Sequence, residues 1–344
     1  MQKSVIVMII VFLIAIIAAA VGVIFGGSAI ISNSKNDTIL ISKDRGETWG
    51  KAENLGRMAI KEFYLSKFFP GRIYVSTNKG ILVGEGGGNE WEELPVSALK
   101  KGGITHNIAE NGKEELYISV FQDKQGSLIK YSLKGGGEHN IYFIPLSGYG
   151  IFGVAADAYN EKNLRLVSSD GGFYESLNGG FTWRAIKRFR EGILQLIPDN
   201  NYTGRYWIRT SRGKIFETFD NGRSWNDVSL NLDKFDGSRK IENLVFDQNS
   251  GFLYLASDYG LLRSQGGNDW APVPLLVPPE ALPIKAAAAD PKNSNIIYAG
   301  TKNQFYKSFD GGQSWNISHL PTDREIARII VDSLNSDIIY VGLE

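Results

Sequence analysis

The stretch that decides the fold is SFDGGQSW at residues 308–315, because near-copies of it recur along the chain. Three copies are close: SKDRGETW at 42–49, SLNGGFTW at 176–183 and TFDNGRSW at 218–225. Three more are degraded: GEGGGNEW at 84–91, SQGGNDW at 264–270 and YSLKGGGEH at 131–139. We call each of these seven copies a box. The tryptophans that end successive boxes lie 42 to 45 residues apart, except between Trp91 and Trp183, where the interval is twice as long and His139 takes the Trp position of the box between them. A period of this size indicates a repeat architecture.

Each box has the composition of a tight turn between two strands. The Asp or Asn side chain in the third position accepts hydrogen bonds from the backbone that follows, and the Gly supplies a positive φ. The Trp then begins the next strand and covers the turn. We therefore expect these side chains to be structural and unavailable for catalysis. They are Asp44, Trp49, Asn178, Trp183, Asp220, Trp225, Asp310 and Trp315.

Two further strand patterns precede each box. An apolar strand ends in a polar turn, as in KAAAADPKNSN at 285–295, and a second strand follows, as in IIYAGT at 296–301. With the strands on either side of the box, each repeat holds four short strands, as a propeller blade does. Blades begin near residues 57, 104, 150, 192, 240, 283 and 325, which predicts an all-β, seven-bladed propeller.

The last blade is predicted to be shared between the two ends of the chain. Only two strands follow residue 325, whereas residues 37–49 begin with a third strand and its box. Pairing these halves closes the ring and removes an open sheet edge. The innermost strands are rich in small and apolar residues, so we expect few ionisable groups deep in the channel. Five acids recur where the first strand ends, and a turn role is expected for them: Asp157, Asp199, Asp247, Asp290 and Asp332. No acid stands out within a strand.

The N-terminus precedes the propeller as a separate segment. Residues 5–25 carry no charge, and a helix of that length spans a bilayer core of roughly 30 Å. Lys3 before it predicts a cytoplasmic N-terminus. We predict an uncleaved transmembrane anchor at residues 1–30, a linker at 31–36 and an extracytoplasmic propeller at 37–344. A cleaved signal peptide is the alternative, although the apolar core is longer than such peptides use.

The composition excludes several classes of function. The chain has no cysteine, so it forms no disulfide, no Cys-ligated metal site, no thiol nucleophile and no lipid-modified cysteine. Lys and Arg total 37 and so do Asp and Glu, which argues against bulk binding of nucleic acid. The three His, at 106, 139 and 319, share no spacing, and no metal or cofactor is predicted.

The boxes resemble the Asp-box (BNR) repeat, SxDxGxTW, over essentially the whole of residues 37–344. Seven blades with compact connections are most similar to the photosystem II stability/assembly factor-like and sortilin-like propellers, and this resemblance implies protein binding. The same repeat occurs in sialidases, for which it implies an arginine triad, a Tyr–Glu pair and an acid/base Asp. Four arginines, at 57, 165, 209 and 328, lie on or near inner or second strands, but the sequence does not show that three of them converge.

The leading hypothesis is a membrane-anchored, exported and non-catalytic scaffold that binds a protein partner. The alternative is a sialidase-type or other glycoside hydrolase acting on extracellular glycans. Departures from the repeat are candidate contact regions, with drift in tolerant loops as the alternative. They are the extra residues of blade 2 at 121–126, the aromatic loop at 139–149 and the Pro-rich loop at 275–283.

Overall fold

The computed structural model describes residues 37–157 and 160–344. Its strands follow the chain in eight groups, of which the first and the last hold only two strands each. The first group comprises β1 (Ile39–Ser42) and β2 (Gly50–Lys51). Blade 1 comprises β3 (Ile60–Leu65), β4 (Ile73–Thr77), β5 (Ile81–Glu85) and β6 (Glu90–Glu93). Blade 2 comprises β7 (Ile104–Asn111), β8 (Glu115–Gln122), β9 (Gln125–Ser132) and β10 (Glu138–Phe143). Blade 3 comprises β11 (Ile151–Ala156), β12 (Leu164–Ser168), β13 (Gly172–Ser176) and β14 (Arg184–Arg188).

The remaining strands repeat the same order. Blade 4 comprises β15 (Ile193–Pro198), β16 (Tyr206–Thr210), β17 (Ile215–Thr218) and β18 (Asn226–Asp227). Blade 5 comprises β19 (Ile241–Phe246), β20 (Phe252–Ser257), β21 (Gly260–Gln265) and β22 (Ala271–Pro272). Blade 6 comprises β23 (Ala286–Asp290), β24 (Asn293–Thr301), β25 (Gln304–Ser308) and β26 (Asn316–His319). The last two strands are β27 (Ile326–Val331) and β28 (Ile339–Leu343).

Blade 7 combines both ends of the chain, as predicted. Its strand order is β2-β1-β28-β27, with Leu40 opposite Val341 and Ile41 opposite Tyr340. The inner strand β27 contacts β23 on one side and β3 on the other, which closes the ring. Arg324 reinforces this seam: its buried guanidinium donates to the carbonyl oxygens of Asp37 and Met58 and to that of Glu344. The all-β, seven-bladed fold and its shared closing blade are therefore confirmed.

The core lies between the blades. The buried hydrophobic residues of the described chain form seven clusters, one between each pair of neighbouring blades. Tyrosines at the same repeat position in the second strand fill these clusters and are almost fully buried. They are Tyr74, Tyr254, Tyr298 and Tyr340. Each blade therefore stabilises its neighbours, because a single four-stranded sheet leaves its apolar faces exposed.

Helices are few in the described residues: α1 (Ser97–Lys100) follows blade 1, and 3-10 turns lie at Leu230–Lys234 and Pro279–Ala281. Within that part of the chain, none is long and apolar enough to cross a membrane. The anchor predicted at residues 1–30 and the linker at 31–36 lie outside the described residues.

Blade 2 differs from its prediction in detail. The extra residues at 121–126 lengthen β8 and β9 to eight residues each and do not form a loop. Asp123 and Lys124 join the two strands with φ of 50° and 62°, the paired left-handed geometry of a tight hairpin. The stretch at 139–149 begins as strand β10, and only its second half is a loop.

Candidate channel-mouth site

The seven inner strands surround a central channel, and they share an irregularity near their first residues. The pairing with the second strand shifts register there in six blades, at Lys61, His106–Asn107, Phe152, Leu194, Glu242 and Ala327. A bulge of this kind redirects side chains and is common beside functional sites. In blade 6, Lys285 immediately precedes β23 at the equivalent place. We call this end of the channel, where the inner strands begin, the mouth.

Charged side chains from several blades meet at the mouth. Arg328 Nε of blade 7 lies 3.6 Å from Glu62 Oε2 of blade 1. Lys285 Nζ of blade 6 lies 3.4 Å from Glu242 Oε2 of blade 5 and 3.4 Å from Glu344 Oε1. These distances are longer than those of tight ion pairs, which lie near 2.7–2.9 Å. The mouth is therefore lined by loosely paired charges of both signs.

Arg209 is the least compensated of these cations. It comes from the second strand of blade 4, and its Nη1 donates to the carbonyl oxygen of Ile241 at 3.0 Å. Burial and the nearby Arg328 guanidinium lower the pKa of Arg209, while Glu242 and Glu62 act against this effect. The Nε atoms of Arg209 and Arg328 are buried, and neither donates a hydrogen bond to any residue in the described part of the chain. A group with acceptor oxygens would satisfy both guanidinium groups.

An aromatic pair completes the mouth. The His106 ring stacks on Phe152, with centroids 4.2 Å apart and planes 18° from parallel. Burial and the nearby Lys61 ammonium lower the pKa of His106 below its ordinary value. The ring is therefore neutral at physiological pH and offers a flat, partly apolar surface.

Side-chain amides hold the channel wall together just beyond the bulges. Asn107 Oδ1 accepts from Val154 N of the next blade at 2.9 Å, and Asn243 Oδ1 accepts from Ala287 N at 3.3 Å. Gln195 Nε2 donates to the Leu244 carbonyl oxygen at 3.0 Å. Each contact links one inner strand to its neighbour, so the mouth is a preorganised surface.

The opposite end of the channel is bridged. Lys67 Nζ of blade 1 donates to Asn200 Oδ1 of blade 4 at 2.7 Å. Blades 1 and 4 are not neighbours in the ring, so this bond crosses the central axis.

Several of these residues were missed from the sequence. Glu62 and Glu242 lie within inner strands, so the expectation that no acid stands out within a strand was wrong. Both acids lie at the mouth, so the expectation of few ionisable groups deep in the channel stays a prediction. The available signal was a charged residue inside an otherwise largely apolar inner strand: Lys61 and Glu62 in IKEFYL, and Glu242 in IENLVF. Lys285 at the head of AAAAD gives the same signal.

The four arginines considered for sialidase chemistry separate into different environments. Arg209 and Arg328 meet at the mouth, whereas Arg165 is buried away from it and pairs with Glu175 at 3.2 Å. Arg57 is exposed between β2 and β3. The structure therefore brings together two of the four.

The box residues lie between third and fourth strands, away from the channel mouth. Asp220 Oδ1 accepts from Ser224 N at 2.9 Å, and its Oδ2 accepts from Ser224 Oγ at 2.6 Å; these bonds lower the pKa of Asp220 to about 2. The corresponding Thr48 contacts lower the pKa of Asp44 to about 2, and Ser314 lowers that of Asp310 further. Asn178 makes the equivalent bond, accepting from Thr182 N at 2.9 Å.

The box tryptophans pack beside these turns. The indole nitrogens of Trp183, Trp225 and Trp315 each donate to the carbonyl oxygen of the Gly at the fifth box position, at 3.1, 2.8 and 3.2 Å. Trp183 and Trp315 also donate to carbonyl oxygens of the preceding blade, those of Ile141 and Pro274. Trp49 packs edge-on against Phe305, with centroids 4.9 Å apart.

The acids at the ends of the first strands close turns, as their spacing suggested. Asp199 Oδ1 accepts from Asn201 N at 2.8 Å, and Asp332 Oδ1 accepts from Leu334 N at 2.8 Å. Asp157, Asp247 and Asp290 make similar bonds to amides two or three residues further on.

The His residues lie apart: His106 at the mouth, His139 on β10 and His319 on β26. Within the described ranges no three His, Asp or Glu side chains are grouped to hold a metal ion.

Known proteins match the chain at the levels of sequence family and fold. The family model described as "Photosynthesis system II assembly factor YCF48" matches residues 74–326, more than half of the chain. The photosystem II assembly lipoprotein Ycf48 of Prochlorococcus marinus (strain MIT 9313) is 27% identical over 179 residues, 50% of this chain and 51% of that protein. The chain thus spans about half the length of the curated relative that it matches.

Two solved structures show the same kind of propeller. A GH74 xyloglucanase from Xanthomonas campestris superposes with a TM-score of 0.67 at 15% identity, covering 83% of this chain and 51% of that chain. A structure described as YCF48 bound to D1 peptide superposes with a TM-score of 0.63 at 15% identity, covering 83% of this chain and 94% of that chain. At these identities the structural similarity shows the fold alone.

Proposed function

The chain belongs to the photosynthesis system II assembly factor YCF48 family, and from that premise we propose that it is an exported, membrane-anchored scaffold that binds a protein partner without catalysing a reaction. The family match carries the proposal, because it extends from blade 1 to the start of blade 7. A structural neighbour in this family is described as bound to D1 peptide. That neighbour supports peptide binding as a use of this propeller.

The proposed arrangement in the cell follows from the N-terminal sequence. Residues 1–30 anchor the chain with the N-terminus in the cytoplasm, residues 31–36 form a linker, and the propeller of residues 37–344 lies on the extracytoplasmic side. The curated relative is named a lipoprotein. This chain has no cysteine to carry a lipid, so the uncharged segment at 5–25 takes the anchoring role.

The channel mouth is the proposed docking surface. Arg209 and Arg328 are half-buried and each has an Nε that donates no hydrogen bond to the described residues, and Glu62 and Glu242 present carboxylates. A polypeptide segment supplies acceptor and donor groups along its backbone, so it satisfies both kinds of partner. The box residues are proposed to serve only the fold: Asp44, Trp49, Asn178, Trp183, Asp220, Trp225, Asp310 and Trp315.

Affinity capture from native membranes tests this proposal. The full-length protein is tagged and crosslinked in the membrane, and the recovered proteins are identified by mass spectrometry. We expect a membrane protein to be recovered by the wild type and to be lost with the double variant Arg209→Gln/Arg328→Gln. Arg184→Gln on β14, an exposed arginine away from the mouth, is the matched control. Equal recovery by the wild type and the double variant would contradict the mouth as the docking surface.

Glycoside hydrolysis is the second candidate function, because Glu62 and Glu242 place two carboxylates at the mouth. Hydrolysis requires one carboxylic acid and one carboxylate facing each other across the sugar. Here Glu62 lies 3.6 Å from Arg328, and Glu242 lies 3.4 Å from Lys285. Each of these carboxylates therefore faces a cation of the protein and not the other carboxylate. A panel of fluorogenic glycosides tests this candidate. If the wild type hydrolyses one of them and Glu62→Gln or Glu242→Gln abolishes the hydrolysis, the scaffold proposal is wrong and the protein is a glycoside hydrolase.

A further inference from the structure

In the described residues, no further strand pairs with the outer edge of blade 2. Strand β10 is the last strand of its sheet, whose order is β10-β9-β8-β7, and with six residues it is the longest outer strand of the described blades. Ser132 N donates to Gly137 O, which fixes the alternation of the β9–β10 ladder up to the register shift between Asn140 and Tyr142. Residues two apart share a direction in such a ladder. Glu138 and Asn140 therefore direct their backbone N–H and C=O groups outward, away from β9.

Two concavities lie on opposite faces of this edge. One, of about 470 Å³, is lined by Ser127 and Ile129 of β9, by Glu138 and Asn140 of β10, and by residues of the α1 region. The other, of about 350 Å³, is lined by alternate residues of the same strands and by the box of blade 3. These alternate residues are Lys130, Ser132, His139 and Ile141. A strand added beside β10 would direct successive side chains into the two concavities in turn.

The two concavities differ in chemistry. The first contains the carboxyl groups of Asp123 and Glu138 and the ammonium group of Lys101, an excess of one negative charge. The second contains Ile141 and Phe181, whose side chain is 89% exposed. Its charged residues, Lys130 and Glu115, satisfy each other at 2.7 Å. The first concavity suits a polar or basic side chain, and the second suits an apolar one.

Five of the six other outer strands carry features that prevent such pairing, and the sixth, β26, is uncharged but has only four residues. Strand β14 carries Arg184, Lys187 and Arg188, strand β6 carries three glutamates, and β2, β18 and β22 have only two residues each. Charges and short length are the usual devices that prevent edge-to-edge association. Strand β10 contains no Lys, Arg or Pro, and Glu138 is its one acid. It is also the strand that follows the box in which His139 stands where the repeat has Trp.

We propose that β10 is a second binding site, at which an extended polypeptide segment adds as a fifth strand to blade 2. The segment would alternate apolar side chains, placed beside Phe181, with polar or basic ones, placed beside Glu138. Backbone hydrogen bonds would supply affinity, and the two concavities would supply specificity. This site is separate from the channel mouth, so it does not rest on the proposed function.

A displayed library of random peptides, each about seven residues long to match the edge, tests the proposal on the full-length protein in detergent. We expect selection to enrich alternating apolar and polar or basic sequences. Asn140→Pro removes an outward N–H without touching the bonds to β9, so the affinity of the best synthetic peptide should fall about tenfold or more. The matched control is Ile317→Pro on β26, where Leu320 N donates to Asn303 O and the same alternation directs the N–H of residue 317 outward. That control should bind as the wild type does.

A second variant keeps the test decisive if Asn140→Pro does not fold. Phe181→Ser lies in the box of blade 3, has no core role, and should weaken binding by removing the apolar wall. The proposal is overturned if no alternating sequence is enriched, if Phe181→Ser binds like the wild type, or if Ile317→Pro and Asn140→Pro lose binding equally. The channel variant Arg209→Gln/Arg328→Gln should retain peptide binding, which separates this site from the proposed function.

Discussion

Blades 4 and 2 show what the box contributes. In blade 4, the Trp225 indole donates to Gly222 O at 2.8 Å and packs edge-on against Phe173 of blade 3, with centroids 5.1 Å apart. At the corresponding place in blade 2, the chain reads Gly135-Gly136-Gly137, and the exposed His139 replaces the Trp. Blade 4 ends in a two-residue outer strand, whereas blade 2 ends in six residues of β10.

The difference suggests that the outer hairpins of different blades have different roles. A box Trp attaches the outer hairpin to the preceding blade and buries apolar surface there. Blade 2 lacks a box Trp. Its β8–β9 hairpin has eight residues in each strand, and two concavities lie beside its outer edge. Loss of one blade's box is tolerable because the other interfaces hold the ring. Trp183 of blade 3 still contacts Ile141 of β10, and the outward groups of Glu138 and Asn140 remain available for the proposed binding.

The largest effect is expected from opening the ring. This change tests whether the blades unfold together as one ring or independently of one another. Deleting residues 338–344 removes β28, which pairs with both β27 and β1. We expect the single cooperative unfolding transition to be lost in calorimetry and near-ultraviolet circular dichroism. Arg57→Met, an exposed substitution near the same seam, should unfold as the wild type does. A truncated protein that melts at the wild-type temperature would show that blades are stable independently.

The ring and its closure were predictable because they depend on local signals. Asx-type turns and Gly positions repeat in the sequence, so the period, the blade starts and the missing half-blade could be read without tertiary information. The acids that end the first strands were assigned to turns by the same local reasoning. These features need contacts only within a few residues.

The channel mouth was not predictable in the same way. Glu62, Arg209, Glu242 and Arg328 come from four different blades and meet only when the ring closes. Lys67 and Asn200 are bonded across the axis although 133 residues separate them. The lengths of β8 and β9 were also missed, because extra residues in a tight hairpin and extra residues in a loop look alike in sequence. One repeat period fixes the blade count but not which side chains converge.

Removing a box Trp compares the two blades directly. Trp225→Ala deletes the edge-on contacts with Phe173 and Phe189 and the bond to Gly222, and should lower the free energy of unfolding by about 2–3 kcal/mol. His139→Ala in blade 2 should change it by less than about 0.5 kcal/mol, because the side chain is exposed. Urea titrations at neutral pH measure both variants. Equal losses would mean that His139 performs the role of the missing Trp and that blade 2 is attached like the others.

The smallest expected effect concerns the acid of an intact box. Bonds from Ser224 hold the pKa of Asp220 at about 2, below the ordinary 3.8, so the folded state binds this proton less readily than the unfolded chain does. The stabilisation is therefore complete above pH 4 and is lost as the pH falls from about 4 to 2. Its size is below about 1 kcal/mol because the carboxylate is exposed to solvent.

Asp220→Asn should keep the fold near neutral pH, because Asn178 accepts the equivalent amide bond in blade 3. The variant has no carboxylate to titrate at this position, so its stability should fall less steeply than that of the wild type below pH 4. Urea midpoints of the two proteins at intervals from pH 5 to pH 2 give the comparison, and Asp44 and Asp310 contribute equally to both curves. If the curves stay parallel, Asp and Asn are interchangeable in the box, and the charge of the three box acids has no part in holding the turns.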